Sequence, residues 1–183
     1  MLLIFKFDNA NVTAEIKKFE EKYKLKICEQ HKEFLLKYNG GKTPKTDFNI
    51  NRESSGIRAF YGFGNEYYDY NTEEFLYNHI ELSYLPIATD SLANKIVIGI
   101  GKENEGEIYF FDSEESKYVY LTKDLKKFIG KVKSKKYAPL SIEQRIQGMK
   151  ESESTIEVDD ELIEIWQEEI NKYKGQVQEK VIL

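Results

Sequence analysis

Few residues in this chain are of the types that do chemistry alone. It holds one cysteine, Cys28, and two histidines, His31 and His79. A cysteine at the start of a helix can have a lowered pKa, and a histidine three residues on could serve it as a base. The favoured reading of Cys28 is plainer: a small residue at a helix start, packed against the core. Gly99-Ile100-Gly101-Lys102 looks superficially like a phosphate loop, but it lacks the Gly-x-x-x-x-Gly-Lys-Ser/Thr spacing and reads as a strand end entering a hairpin. Carboxylate pairs occur at Glu73-Glu74, Glu114-Glu115, Asp159-Asp160-Glu161 and Glu168-Glu169. None has the spacing of a metal loop, and adjacent acids usually mark a solvated face. One cysteine excludes an internal disulfide and a cysteine metal cluster. The residues therefore point to no enzyme, no metal and no cofactor.

Composition narrows the class further. The chain has 183 residues, 40% hydrophobic and 32% charged, enough for a folded domain with an appendage. The first eight residues are too short an apolar run for a signal-peptide core, and nothing approaches the ~20 apolar residues of a membrane span. A cytoplasmic protein with no membrane partner is expected. The net charge is −5, but Glu151 to Leu183 carry ten acids against three lysines, leaving a nearly neutral body. That asymmetry disfavours direct nucleic-acid binding and suits a basic partner. Lysines at 123, 126, 127, 131, 133, 135 and 136 form a basic run, read as a solvated helix face or a surface facing the acidic tail. Aromatics reach 14%, with 13 Tyr, which hints at a binding face because a tyrosine ring packs while its hydroxyl stays wet.

Periodicity supplies the elements that would position these residues. Thr13 caps a predicted helix over 14–23, with Ile16, Phe19 and Tyr23 on one face. A second runs from 29 to 38 with His31, Phe34, Leu35 and Tyr38 inward, ending on Asn39-Gly40-Gly41. Strands are predicted over 46–50 and 57–63, then a helix from Glu73 to about Leu82 with Phe75, Leu76, His79 and Leu82 inward. Strands over 85–88, 95–100, 107–111 and 118–121 follow, joined by short polar loops that imply an antiparallel sheet. A helix over 123–133 closes the block. Beyond a basic linker, Ser141 and Asp159 each cap a helix, the last with Leu162, Ile163, Trp166, Ile170 and Tyr173 on one face. The expected fold is α+β: a central, mainly antiparallel sheet with helices packed on it over residues 1–136, plus an acidic helical C-terminal extension over 137–183.

Several of these pieces, in this order, resemble the SUKH superfamily, which includes yeast cell-wall-synthesis regulators and many bacterial immunity proteins. The resemblance runs from Thr13 to Val132. It rests on Phe19-Glu20 in the first helix, on Tyr38-Asn39-Gly40-Gly41, and on Pro86-Ile87-Ala88 with Asp90. It also rests on Tyr109, Phe111 and Asp112, and on Phe128 in the closing helix. The chain departs from the pattern where Ile27-Cys28 replaces Leu-Pro, where Ala93-Asn94 replaces Gly-Asn, and where Phe111 replaces Trp.

The resemblance implies a non-enzymatic domain that binds a cognate bacterial toxin, often a nuclease, and no small-molecule substrate. The alternative is a regulatory or scaffolding module of the same fold with another protein partner. Tyr67, Tyr68, Asp69 and Tyr70 are the expected hot spot, against the reading that one or two rings pack beneath their loop. Asp90, Glu103, Glu105, Glu107, Asp112 and Glu114 are the acids expected to meet a cationic toxin cleft. Asp90 and Asp112 have turn formation as their competing role.

Overall fold

Apolar residues three and four apart at Val12, Ile16 and Phe19 form the buried stripe of helix α1 (Val12–Tyr23). Asn11, not Thr13, stands at its N-cap, and no side chain caps it. Helix α2 (Glu29–Tyr38) buries His31, Phe34, Leu35 and Tyr38, as its periodicity predicts. The computed structural model describes residues 1–8, 11–72, 74 and 76–183.

Strands β1 (Leu3–Lys6) and β2 (Gly41–Lys42) precede β3 (Thr46–Ile50), whose strict alternation buries Thr46, Phe48 and Ile50. The chain then reverses through Asn51 and Arg52, both at positive φ (55° and 74°), directly into β4 (Glu53–Gly56). Two successive positive φ values match the right-handed twist of a two-residue hairpin. The predicted strand over 57–63 shrinks to β5 (Ala59–Phe60), and the polar stretch before it forms a strand instead.

Helix α3 (Leu76–Glu81) is shorter than expected. Leu76 and His79 face inward, whereas Leu82 lies beyond the helix and is 61% exposed. Glu73 and Phe75 fall outside the described residues.

Strands β6 (Tyr84–Thr89), β7 (Lys95–Gly99), β8 (Ile108–Asp112) and β9 (Lys117–Thr122) form an antiparallel meander, followed by α4 (Leu125–Lys131) and β10 (Lys133–Ser134). Asp124 caps α4 by accepting from the Lys127 amide. The last elements are α5 (Ile142–Glu151), α6 (Asp160–Lys174) and β11 (Glu179–Lys180). The fold is α+β. One eight-stranded sheet has the order β11-β1-β2-β5-β6-β7-β8-β9, and a three-stranded sheet has the order β10-β3-β4. All named pairings are antiparallel. Phe48 joins the two sheets in one core, edge-on to Phe110 at 5.9 Å and to Phe128 at 5.7 Å.

The chain divides into two compact units, 1–136 with 178–183, and 137–177. In the second, Ser141 and Gln144 form a reciprocal capping box on α5, and Asp159 caps α6. Arg145 pairs with Glu169 at 2.9 Å, and Tyr137 donates to the other Glu169 oxygen. No residue of α5 or α6 is buried.

Candidate functional site

The Tyr38-Asn39-Gly40-Gly41 motif is structural in every residue. Asn39 ends α2 in the left-handed conformation, with φ at 52°. Its side chain donates to the Phe63 carbonyl and accepts from the Phe63 amide, both at 2.8 Å. Gly62 runs so close that a Cβ there would stand 1.9 Å from the Asn39 carbonyl oxygen. The Tyr38 hydroxyl accepts from the Ile182 amide, fastening the returning C-terminal segment.

Neither candidate for acid–base work is primed. Burial pushes the Cys28 thiol pKa up, and burial pushes His31 down to about 3. A base that weak cannot draw a proton from a thiol that holds it firmly. His31 is fully buried, its Nε2 lies 3.3 Å from the Tyr70 hydroxyl, and its Nδ1 has no partner among the described residues. His79 is lowered to about 4, first by burial and then by Lys95. Among the described residues no group of three or more His, Cys, Asp or Glu is placed to hold a metal.

The structure splits the expected tyrosine hot spot. Tyr70 is fully buried, donating to the Pro86 carbonyl at 2.8 Å and packing on Phe19 and Phe63. Asp69 is buried and accepts from the Gly64 and Asn71 amides. Tyr68 is half-buried against Tyr61, and Tyr67 alone is well exposed, beneath the Lys42 ammonium. Asp90 is also buried, and its carboxylate accepts from Leu92, Asn94 and Ser55. Asp69, Tyr70 and Asp90 thus hold loops together and present nothing to a partner. Asp112 turns the β8–β9 hairpin by accepting from the amides of Glu114 and Glu115, and stays half-exposed. Glu103, Glu105 and Glu114 are exposed at the two hairpin ends that flank β8.

Another group of aromatics comes together instead. Register places Tyr109 opposite Tyr120, and Phe111 opposite Tyr118, on the sheet face opposite Ile108 and Phe110. Tyr84 reaches across the same face, stacked on Tyr118 at 4.1 Å and edge-on to Tyr109 at 5.1 Å. Tyr109 and Tyr120 meet edge to face at 5.7 Å. Val97, fully buried, lies between Pro86 and Tyr109 in the same row. His79 covers one side through Phe111 at 4.7 Å, and its Nδ1 is 2.6 Å from the Tyr118 hydroxyl. Burial and neighbouring Tyr84 push the Tyr118 hydroxyl up to about 12, and Tyr109 is also raised, by burial and by its bond to Glu107. Both hydroxyls therefore stay protonated at neutral pH, and that of Tyr109 donates to Glu107. Sequence reasoning missed this face. Its signal was the alternation 109/111 and 118/120, which puts aromatics where a solvated strand face ordinarily carries polar residues.

Residues 13–131, well over half of the chain, match the SMI1 / KNR4 family (SUKH-1). The chain belongs to this family. Comparisons with curated proteins and with solved structures gave no match. SUKH proteins are generally non-enzymatic immunity proteins or regulators that bind partner proteins. The SUKH match spans α1 through α4, so it contains the whole aromatic face and stops before the second unit. No helix among the described residues is long and apolar enough to cross a membrane.

Proposed function

We propose that the protein is a bacterial immunity protein that binds a cognate toxin domain, a nuclease in the first instance, and neutralises it in the cytoplasm by contact alone. The observation that carries this reading is the acid-flanked aromatic face of β6 to β9, set on a SUKH domain in which neither Cys28 nor His31 is primed for acid–base work. Half-exposed tyrosine rings supply contact area at low entropic cost, and flanking carboxylates favour a cationic surface such as a nucleic-acid-binding cleft.

The test is co-expression with the polypeptides encoded beside its gene. A tight one-to-one complex with a toxic product, and growth restored on co-expression, is the expected result. A partner that is a larger multidomain protein without toxicity favours a regulatory module of the same fold. Alanine at Cys28 or His31 leaves protection intact wherever the fold survives, whereas a hydrolase that used them would lose activity.

A further inference from the structure

Residues 101–117, which contain β8 and both of its hairpin ends, hold six carboxylates against two lysines. The first unit as a whole is close to neutral, so this segment is locally acidic. The rings of Tyr109 and Phe111 therefore stand on the strand that these carboxylates flank at both ends.

The sharpest overlap lies at the corner of Tyr109, Tyr120 and Glu107. The Tyr109 hydroxyl donates to Glu107 Oε2. Oε1 of the same carboxylate has no partner among the described residues. Tyr120 is 43% exposed and stands edge to face with Tyr109. The one lysine in register with this face, Lys95, is drawn to Thr89 Oγ1 at 3.1 Å and to the Ala93 carbonyl at 2.7 Å. An aromatic ring beside a half-satisfied carboxylate is a receptor for a cation that is also flat. Guanidinium fits both parts, because it stacks on rings and bonds carboxylates through a rigid fork, whereas an ammonium is a compact and strongly hydrated point charge.

Resting on the immunity reading, we propose that this corner seats an arginine side chain of the partner protein, stacked on Tyr120 and hydrogen-bonded to Glu107. The nuclease class of toxin fits, because a surface that grips phosphate is rich in exposed arginine.

The test uses the full chain, isotope-labelled, and three probes: the N-acetyl amides of arginine, citrulline and lysine. Arginine is expected to give saturable NMR shifts centred on the amides of Glu107, Tyr109 and Tyr120. Citrulline, the neutral isostere, binds about tenfold more weakly, the difference a charge-assisted contact makes. Glu107→Gln and Tyr120→Ala each weaken arginine binding, while Tyr67→Ala does not, with melting curves confirming that each variant is folded. Citrulline or lysine matching arginine, shifts that do not saturate, or shifts centred elsewhere would overturn the proposal. A toxin neutralised as well by Glu107→Gln/Tyr120→Ala as by the unmodified chain would also overturn it and leave immunity standing. A saturable arginine site in a protein that binds no neighbouring gene product would uphold the site and remove the immunity reading.

Discussion

Asp90 belongs to the Pro-Ile-Ala-x-Asp motif, and its role is decided by hydrogen-bond geometry at the β6–β7 turn. One oxygen accepts from the Leu92 and Asn94 amides at 2.8 and 2.9 Å, the other from Ser55 and the Asn94 side chain at 2.6 and 2.8 Å. Asp90→Ala strands four part-buried donations at once and should cost about 3 kcal/mol in urea unfolding, less per bond than fully buried groups lose. Asp90→Asn, which keeps one acceptor oxygen, should cost less. His31 carries a separate prediction. The unfolded chain takes its proton near pH 6.5, the folded chain only near 3. The unfolded state thus binds more protons between those values, so stability falls as pH drops from 6.5 toward 3 and is flat above. His31→Phe should make that limb of the melting temperature against pH shallower, leaving the share of His79, which is lowered to about 4; an unchanged slope would refute the assignment. Residue types alone could nominate Asp90 and Tyr70, but not say which way they point. The same letters in a loop serve a turn or a partner, and only the packing of Phe19, Phe63 and Pro86 around Tyr70 decides.

Elements were legible where one face is buried and the other wet. The strand 46–50 shows the period-2 alternation that identifies it, and α2 shows the period-3.6 stripe. Strand β4, Glu-Ser-Ser-Gly, carries no apolar signal and exists because β3 offers it a ladder through a two-residue turn. The two-residue strands β2, β10 and β11 are tertiary products that no window of sequence contains. Glycine shows the same division between local and tertiary causes. Gly62 faces the Asn39 carbonyl, where a Cβ would stand at 1.9 Å, while Gly148 sits inside α5 with open space around it. Gly62→Ala must therefore push apart the α2 terminus and its neighbouring loop, and should lower stability by about 3 kcal/mol or more, as severe overpacking does. Gly148→Ala should raise helix stability by about 1 kcal/mol, because it removes only backbone freedom. Paired thermal melts test both, and a benign Gly62→Ala would mean that the junction yields more easily than its geometry implies.

At the scale of the molecule, the chain leaves the first unit after Lys136 and returns to it at Gln178. Between these points lie 41 residues with ten carboxylates and four basic side chains, in two helices that bury no residue. Their apolar stripe was legible, but not the return, because β11 is two charged residues, Glu179 and Lys180, held by tertiary contacts. Val181 is buried and its amide donates to the Leu2 carbonyl, Lys6 pairs with Glu179 at 2.9 Å, and Tyr38 accepts from the Ile182 amide. Removing everything after Lys136 therefore strips the outer strand from β1 and uncovers Tyr38. Replacing only 137–177 by a short Gly-Ser linker keeps that strand, and loop closure over such a span costs little. The full truncation should lose about 3 kcal/mol, from one buried aliphatic side chain and several backbone bonds. The linker variant should melt close to the unmodified chain. Equal loss in both would place the stabilising contribution in the helical unit instead. With stability separated in this way, the linker variant also reads out partner binding. If the aromatic face of β6–β9 is sufficient, it retains toxin neutralisation, and if the acidic helices are part of the contact, protection falls without any fall in melting temperature.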